Sequence, residues 1–333
     1  MKTKILFVLL FINCLGHSQE DGSLVKWLSF KEAQEKNKTI PRPFIIDIYT
    51  DWCGWCKHMM KTTYANPVIA EYINTYFYPV KFNAEGKDTI EYDGKKYFPT
   101  SPLPKTTHEL AIKFLGTQFS YPSTILAGNN LQFNILAQGY LDEKKIEPLL
   151  IFMVENVFQT NIYDDFSQQY NRAYVDTAFA KKAIRTYTIM EALALQRKQP
   201  KKLLVNIYAN FCNSCKVMNR TTFVDTLVAD YIEKNFYLVN FDAESSDTII
   251  FNNEKCFKQV INNYPFNSFV TKITNGHLTF PSIVILDENL STINVLNSFQ
   301  HPKNLKPVLQ FFGGNYYKNQ KWEDFYKQYQ VKK

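Results

Sequence analysis

The sequence predicts an α/β fold built twice in succession, with strands and helices alternating around a sheet in each copy. Three observations carry this. Apolar runs of strand length alternate with segments of helical pattern. Residues 44–90 and 203–249 align without a gap at an offset of 159, with 20 identities in 47 positions. Each copy also sets a C-x-x-C pair a few residues after its first apolar run, Cys53/Cys56 and Cys212/Cys215. A period near 160 is too long for a solenoid, so the repeat describes whole domains. Residues 1–18 read as a leader, 19–172 as the first domain and 173–333 as the second, with the boundary near Asn171 to Asp176.

In the first copy, Ser29-Phe30-Lys31-Glu32 is a capping box that opens a helix. Phe44 to Tyr49 is continuously apolar except for Asp47, as a buried parallel strand would be. The segment after Cys53 is free of helix breakers until Pro67. There Asn66-Pro67 supplies an N-cap and a first helical residue. Tyr76 to Ala84 is the next strand, and Asp93-Gly94 marks a hairpin turn. His108 to Leu115 follows a helical pattern. Pro122 leads into a strand over Ser123 to Ala127, another strand covers Phe133 to Ala137, and Asp142 to Phe158 closes the unit as a helix.

Composition narrows the function. Apolar residues are 45% of the chain, ample for packed cores, and no apolar run is long enough for an ordinary transmembrane helix. The net charge of +7 is spread along the chain, which argues for solubility and against a nucleic-acid footprint. Lys2 and Lys4, the apolar run Ile5 to Ile12 and the small residues Gly16 and Ser18 describe a secretory signal peptide cleaved after Ser18. Lipid attachment at Cys14 fits poorly, because Asn13 precedes it. Export to a periplasmic or secreted location puts the chain where disulfides persist, with no stable membrane insertion after cleavage. Five cysteines then remain, and an odd number does not make a framework of structural staples.

Two C-x-x-C pairs point instead to chemistry. The thiolate, not the thiol, is the nucleophile. The first turn of a helix stabilises it, because free N–H groups and the positive end of the helix dipole face the sulfur. Strand, short loop, Cys, two residues, Cys and helix is the arrangement around Cys53 and Cys56. Cys53 is expected to attack a disulfide and Cys56 to resolve the mixed disulfide. His58 and His108 have no metal-like spacing and read as surface histidines; no metal or organic cofactor is expected. Cys256 has Tyr97 as its counterpart, lies outside the repeated design and reads as a partly buried free thiol, with a second resolving partner for the Cys212–Cys215 pair as the alternative.

Asp47-Ile48-Tyr49-Thr50-Asp51-Trp52-Cys53-Gly54-Trp55-Cys56-Lys57, with Tyr121-Pro122-Ser123 downstream, resembles the thioredoxin superfamily, in particular its exported bacterial members. Ala209 to Lys216 with Phe280-Pro281-Ser282 is similar in layout. The resemblance implies a tandem thioredoxin fold, a central mixed β-sheet flanked by helices in each copy. It implies that Pro122 and Pro281 are cis and that their loops, with Tyr121 and Phe280, receive the substrate chain beside Trp52 and Trp55. It also makes Asp47 a buried proton acceptor for the resolving thiol, paired with Lys81.

The second copy departs from that pattern. Asn206 stands for Asp47 and Asn240 for Lys81, so both charges are absent together. One buried charge without its partner would be costly. Asn206 cannot take a proton, so the second site is expected to exchange more slowly. The expected function is a thiol–disulfide oxidoreductase, reductase or isomerase, acting on disulfide-bearing client proteins. It would be supplied by a membrane or periplasmic thiol donor. The competing readings are zinc held by the four cysteines, and a non-catalytic client-binding or chaperone module with structural disulfides.

Overall fold

The structure, a computed structural model, describes residues 22–100, 106–131, 134–261 and 263–331. The expected signal peptide, its cleavage site and Cys14 lie outside the described residues. No helix among the described residues is long and apolar enough to cross a membrane. The chain divides into two compact units, 1–143 and 144–333.

The first unit runs α1 (Phe30–Thr39), β1 (Phe44–Tyr49), α2 (Gly54–Lys61), α3 (Pro67–Tyr76), β2 (Tyr78–Asn83), the hairpin β3 (Ile90–Tyr92) and β4 (Lys95–Tyr97), α4 (Glu109–Leu115), β5 (Ser123–Ala127) and β6 (Asn134–Gln138). Local chemistry starts each helix where the sequence indicates. Ser29 and Glu32 form the reciprocal capping box of α1. Asn66 accepts from the N–H groups of Val68 and Ile69, with Pro67 as the first residue of α3. The β3–β4 turn uses Asp93 and Gly94, both at positive φ, as a two-residue hairpin loop requires. The main sheet has the order β2-β1-β5-β6, with β1 parallel to β2 and the other pairs antiparallel. Phe44, Ile46 and Ile48 of β1 pack with Phe30, Val80, Phe82 and Ile125 in its core.

The second unit begins with α5 (Glu143–Val154) and α6 (Tyr163–Tyr174). It continues with α7 (Ile189–Lys198), β7 (Lys202–Tyr208), α8 (Asn213–Thr221), α9 (Thr226–Asn235), β8 (Phe236–Asp242), and the short strands β9 (Ile249–Phe251), β10 (Glu254–Cys256), β11 (Lys258–Ile261) and β12 (Tyr264–Asn267). Then follow α10 (Ser268–Ile273), β13 (Ser282–Leu286), β14 (Thr292–Asn297), α11 (Pro302–Gly313) and α12 (Trp322–Val331). Its main sheet, β14-β13-β7-β8, has the same order and strand directions as the first. Each sheet is the mixed sheet that the sequence leads one to expect.

Residues 144–172, which the repeat assigns to the first copy, group with the second unit. The reason is packing: α6 lies against α8, Phe166 meets Phe299 edge to face with centroids 5.2 Å apart, and Asn161 donates to the Phe299 carbonyl at 2.8 Å. Arg220 of α8 also stacks over the Tyr174 ring of α6 at 4.6 Å.

One expectation is corrected. His108 is not a surface histidine but fully buried. It is the N-cap of α4: its Nδ1 accepts from the Leu110 N–H at 3.1 Å, which leaves Nε2–H to donate to the Asp88 carbonyl at 3.0 Å. Asn267, its counterpart at the offset of 159, caps α10 and donates to the Asp247 carbonyl at 2.8 Å. An N-cap acceptor that also carries an N–H ties helix and loop together, and imidazole and carboxamide both provide the two groups.

Candidate active site

Three residues separate the end of β1 from Cys53, so the parallel strand delivers that cysteine to the start of α2. Cys53 is the N-cap of α2. Its backbone N–H donates to the Thr50 carbonyl at 3.1 Å, and its sulfur accepts from the Cys56 N–H at 3.1 Å. Cys53 and Cys56 are joined as a disulfide. Among the described residues, no side chain hydrogen-bonds to the N–H groups of Gly54 and Trp55, so the helix end is left for the sulfur.

The cysteines themselves are buried, but their neighbours are not: Trp52 and Trp55 are 67% and 61% exposed. Trp52 donates through Nε1 to the Glu85 carboxylate at 3.1 Å and meets Tyr121 edge to face at 5.9 Å. Trp55 lies 5.5 Å from both His58 and Tyr140. The Tyr121–Pro122 peptide is cis, and the Pro122 carbonyl accepts from the Gly139 N–H at 2.8 Å. Burial, and then the charge of Glu85, push the Tyr121 phenol above its ordinary pKa. The fold thus brings Trp52, Tyr121 and Pro122 together at the start of α2, and extends the aromatic surface through His58 and Tyr140, which sequence reasoning did not assign to it.

Beneath that surface Asp47 is fully buried on β1, in register with Lys81 of β2 and Thr124 of β5. Tyr64, also fully buried, donates its hydroxyl to Asp47 at 3.3 Å. Lys81 sits over the Tyr49 ring at 5.0 Å. Tyr64 was not singled out from the sequence, although a signal existed: at the offset of 159 its counterpart is Phe223, so the hydroxyl disappears from the second copy with both charges.

The second site repeats the frame with different chemistry. Cys212 is the N-cap of α8, bonded to Cys215 as a disulfide, and its sulfur accepts from the Cys215 N–H at 3.1 Å. Phe280–Pro281 is cis, and Phe211, 54% exposed, meets Phe280 at 5.5 Å and 86°, as Trp52 meets Tyr121. Asn206 is buried and in register with Asn240. Its amide donates to Asn240 at 3.0 Å and to Asn219 at 2.8 Å, so neutral hydrogen bonds stand at the positions that Asp47 and Lys81 occupy in the first unit. Ser214, fully buried, stands where Trp55 is exposed. Glu155, which the sequence did not single out either, reaches the start of α8. Its carboxylate accepts from the N–H groups of Asn213 at 2.9 Å and Ser214 at 2.7 Å. Cys256 is a buried free thiol on β10, its pKa raised by burial. Each C-x-x-C pair is closed on itself, and among the described residues no group of three or more His, Cys, Asp or Glu is placed to hold a metal ion.

Two family models match parts of the chain. Residues 183–287 match the family model described as Thioredoxin-like. Residues 16–98 match the model Thioredox_DsbH, described as a protein of unknown function, DUF255. No curated protein matches the chain. Similar solved structures include a putative disulphide-isomerase from Bacteroides thetaiotaomicron, 22% identical over 40% of this chain and 95% of that one, with a TM-score of 0.28. A thioredoxin from Thermus thermophilus is 16% identical over 39% and 86%, with a TM-score of 0.30. A protein titled DsbH Oxidoreductase is 12% identical over 38% and 79%, with a TM-score of 0.27. By the two family-model matches, the chain carries thioredoxin-like domains. Two C-x-x-C disulfides, each at the start of a helix, are a construction of the thiol–disulfide oxidoreductase type.

Proposed function

We propose that the protein is exported and exchanges disulfides with client proteins through Cys53 and Cys56, as a reductase or isomerase. The supporting observation is the position of Cys53: a sulfur at the N-cap of α2, with no side chain among the described residues competing for the helix end and two exposed tryptophans beside it. In the reducing direction, the Cys53 thiolate attacks one client sulfur and the other leaves with the electron pair. Cys56 then attacks Cys53, releases the second client sulfur as a thiolate and closes the Cys53–Cys56 disulfide. Asp47 takes the proton of Cys56. Trp52, Trp55, Tyr121 and Pro122 form the docking surface for an extended client segment, and Phe280 and Pro281 do so at the second site. A membrane or periplasmic dithiol donor restores the reduced pair. The second site exchanges more slowly, because Asn206 accepts no proton.

Cys56→Ser, purified from the native host, is expected to carry clients as mixed disulfides on Cys53 that dithiothreitol releases. N-terminal sequencing of that material is expected to begin at Gln19. If no thiol-releasable adduct forms and the wild type does not reduce insulin, the exchange reading fails, and a client-binding module with structural disulfides takes its place.

A further inference from the structure

Glu155 follows directly on α5, where a negative charge is unfavourable to its own helix, and its N–H donates to the Ile151 carbonyl. Its carboxylate is spent elsewhere. Oε1 accepts from the Asn213 N–H at 2.9 Å and Oε2 from the Ser214 N–H at 2.7 Å, while Oε2 lies 3.7 Å from Cys212 Sγ. These are the free donors of the first turn of α8, the groups that would otherwise stabilise a thiolate at Cys212. Among the described residues, no carboxylate is seen to accept from the first N–H groups of α2, and at the offset of 159 the counterpart of Glu155 itself is Gly314.

We infer that Glu155 is a built-in brake on the second disulfide: by occupying the helix end, it denies Cys212 its stabilisation as a thiolate and keeps the Cys212–Cys215 pair oxidised while the first pair turns over. This rests on reading the C-x-x-C pairs as exchange sites and adds a regulator to the second. The step it opposes is reduction of that pair by a dithiol. A thiolate of the dithiol attacks Cys212 Sγ, the Cys212–Cys215 bond breaks, and Cys215 leaves with the electron pair and takes a proton from water. The second thiol of the dithiol then displaces Cys212, which must depart as a thiolate 3.7 Å from a carboxylate, and the dithiol is left as a disulfide. Two anions then compete for one helix end, so the reduced pair retains a proton and the equilibrium leans to the disulfide.

The other groups around the carboxylate are the Ser214 hydroxyl and then Lys216 of α8, which both favour its ionised form, and Tyr174 of α6, over which Arg220 is stacked. Burial works against ionisation and raises the pKa of Glu155.

The test uses the full chain carrying Cys53→Ser and Cys56→Ser, so that its outcome is independent of turnover at the first site. The Cys212–Cys215 pair is titrated with dithiothreitol, with and without Glu155→Gln, and read peptide by peptide. The substitution is expected to favour the reduced pair by about tenfold, equivalent to roughly 30 mV, and to lower the pH midpoint for alkylation of Cys212 by about one unit. Unchanged midpoints overturn the proposal, as does a fall in reducibility, which would make Glu155 a proton acceptor for Cys212 instead. A measurement on the reduced wild type needs no substitution at all. The alkylation midpoint of Cys212 should lie at least one unit above that of Cys53, and equal midpoints overturn the proposal too.

Discussion

The Tyr64 hydroxyl donates to Asp47 at 3.3 Å, with both side chains closed off from solvent. Burial, and then the charge of Asp47, push the Tyr64 phenol far above its ordinary range, so it stays protonated at physiological pH and keeps its hydrogen for Asp47. A hydrogen bond to the ionised form of a carboxyl group favours that form. Tyr64→Phe removes it and is expected to make Asp47 harder to ionise. At about 1 kcal/mol for the bond and about 1.4 kcal/mol per pKa unit, the pH profile of insulin reduction should move up by about 0.5–1 unit, and the rate at pH 7 should fall. An unchanged profile would take Asp47 out of the reaction.

Trp52 and Trp55 contribute little to the core, since most of each ring faces solvent. Surface substitutions away from special features usually change stability by less than about 0.5 kcal/mol. Trp55→Ala should therefore unfold in urea at nearly the wild-type midpoint. It should raise KM for a peptide client by about tenfold, the loss expected when one aromatic anchor is removed from an interface. A shifted midpoint with unchanged KM would mean that the ring is structural.

The buried Asn206–Asn240 pair predicts a pH-dependent penalty. Asn206→Asp places a carboxyl group where no lysine answers it, so its folded pKa is raised by burial. A group whose folded pKa lies above its unfolded value of about 3.9 leaves stability intact below that pH and removes it progressively as pH rises. Urea denaturation should show little difference near pH 3.5 and a deficit of about 3 kcal/mol at pH 7, in line with an uncompensated buried charge. Adding Asn240→Lys should recover part of that deficit. A deficit independent of pH would point to lost packing instead of lost charge balance.

Cys256 is buried on β10, and burial raises its thiol pKa. Both effects suppress the thiolate and its access to reagents. In the native protein iodoacetamide should modify Cys256 at least about 100-fold more slowly than a free thiol of ordinary pKa, and at the ordinary rate in urea. Rapid labelling of the native chain would show that the β9–β10 hairpin opens readily.

Much of the fold is legible because its signals are local. Ser29 with Glu32, and Asn66 with Pro67, each satisfy helix N–H groups within three residues of themselves, so a reader of the chain can place α1 and α3. The alternation of strands and helices and the two C-x-x-C pairs at helix starts are read the same way, from short patterns seen twice, whereas the two cis prolines follow from the family resemblance. His108 misleads because one isolated histidine has no local sign of burial. Its role becomes visible only when Asn267 is seen to cap the equivalent helix.

By itself, then, the sequence determined the alternation of strands and helices in the first copy, where the sulfurs sit on their helices, and that the second copy lacks the charges of Asp47 and Lys81; each depends on near neighbours or on the repeat. Tertiary structure alone decided what the polar groups of the two sites touch: Tyr64 on Asp47, Asn219 on Asn206, and Glu155 on the start of α8, 57 residues before Cys212. It also decided that residues 144–172 belong with the second unit. The physical reason is that a carboxylate or hydroxyl finds its partner by the convergence of whole elements. That convergence is driven by non-directional burial of apolar faces, and it writes no periodic signature around the polar residue itself.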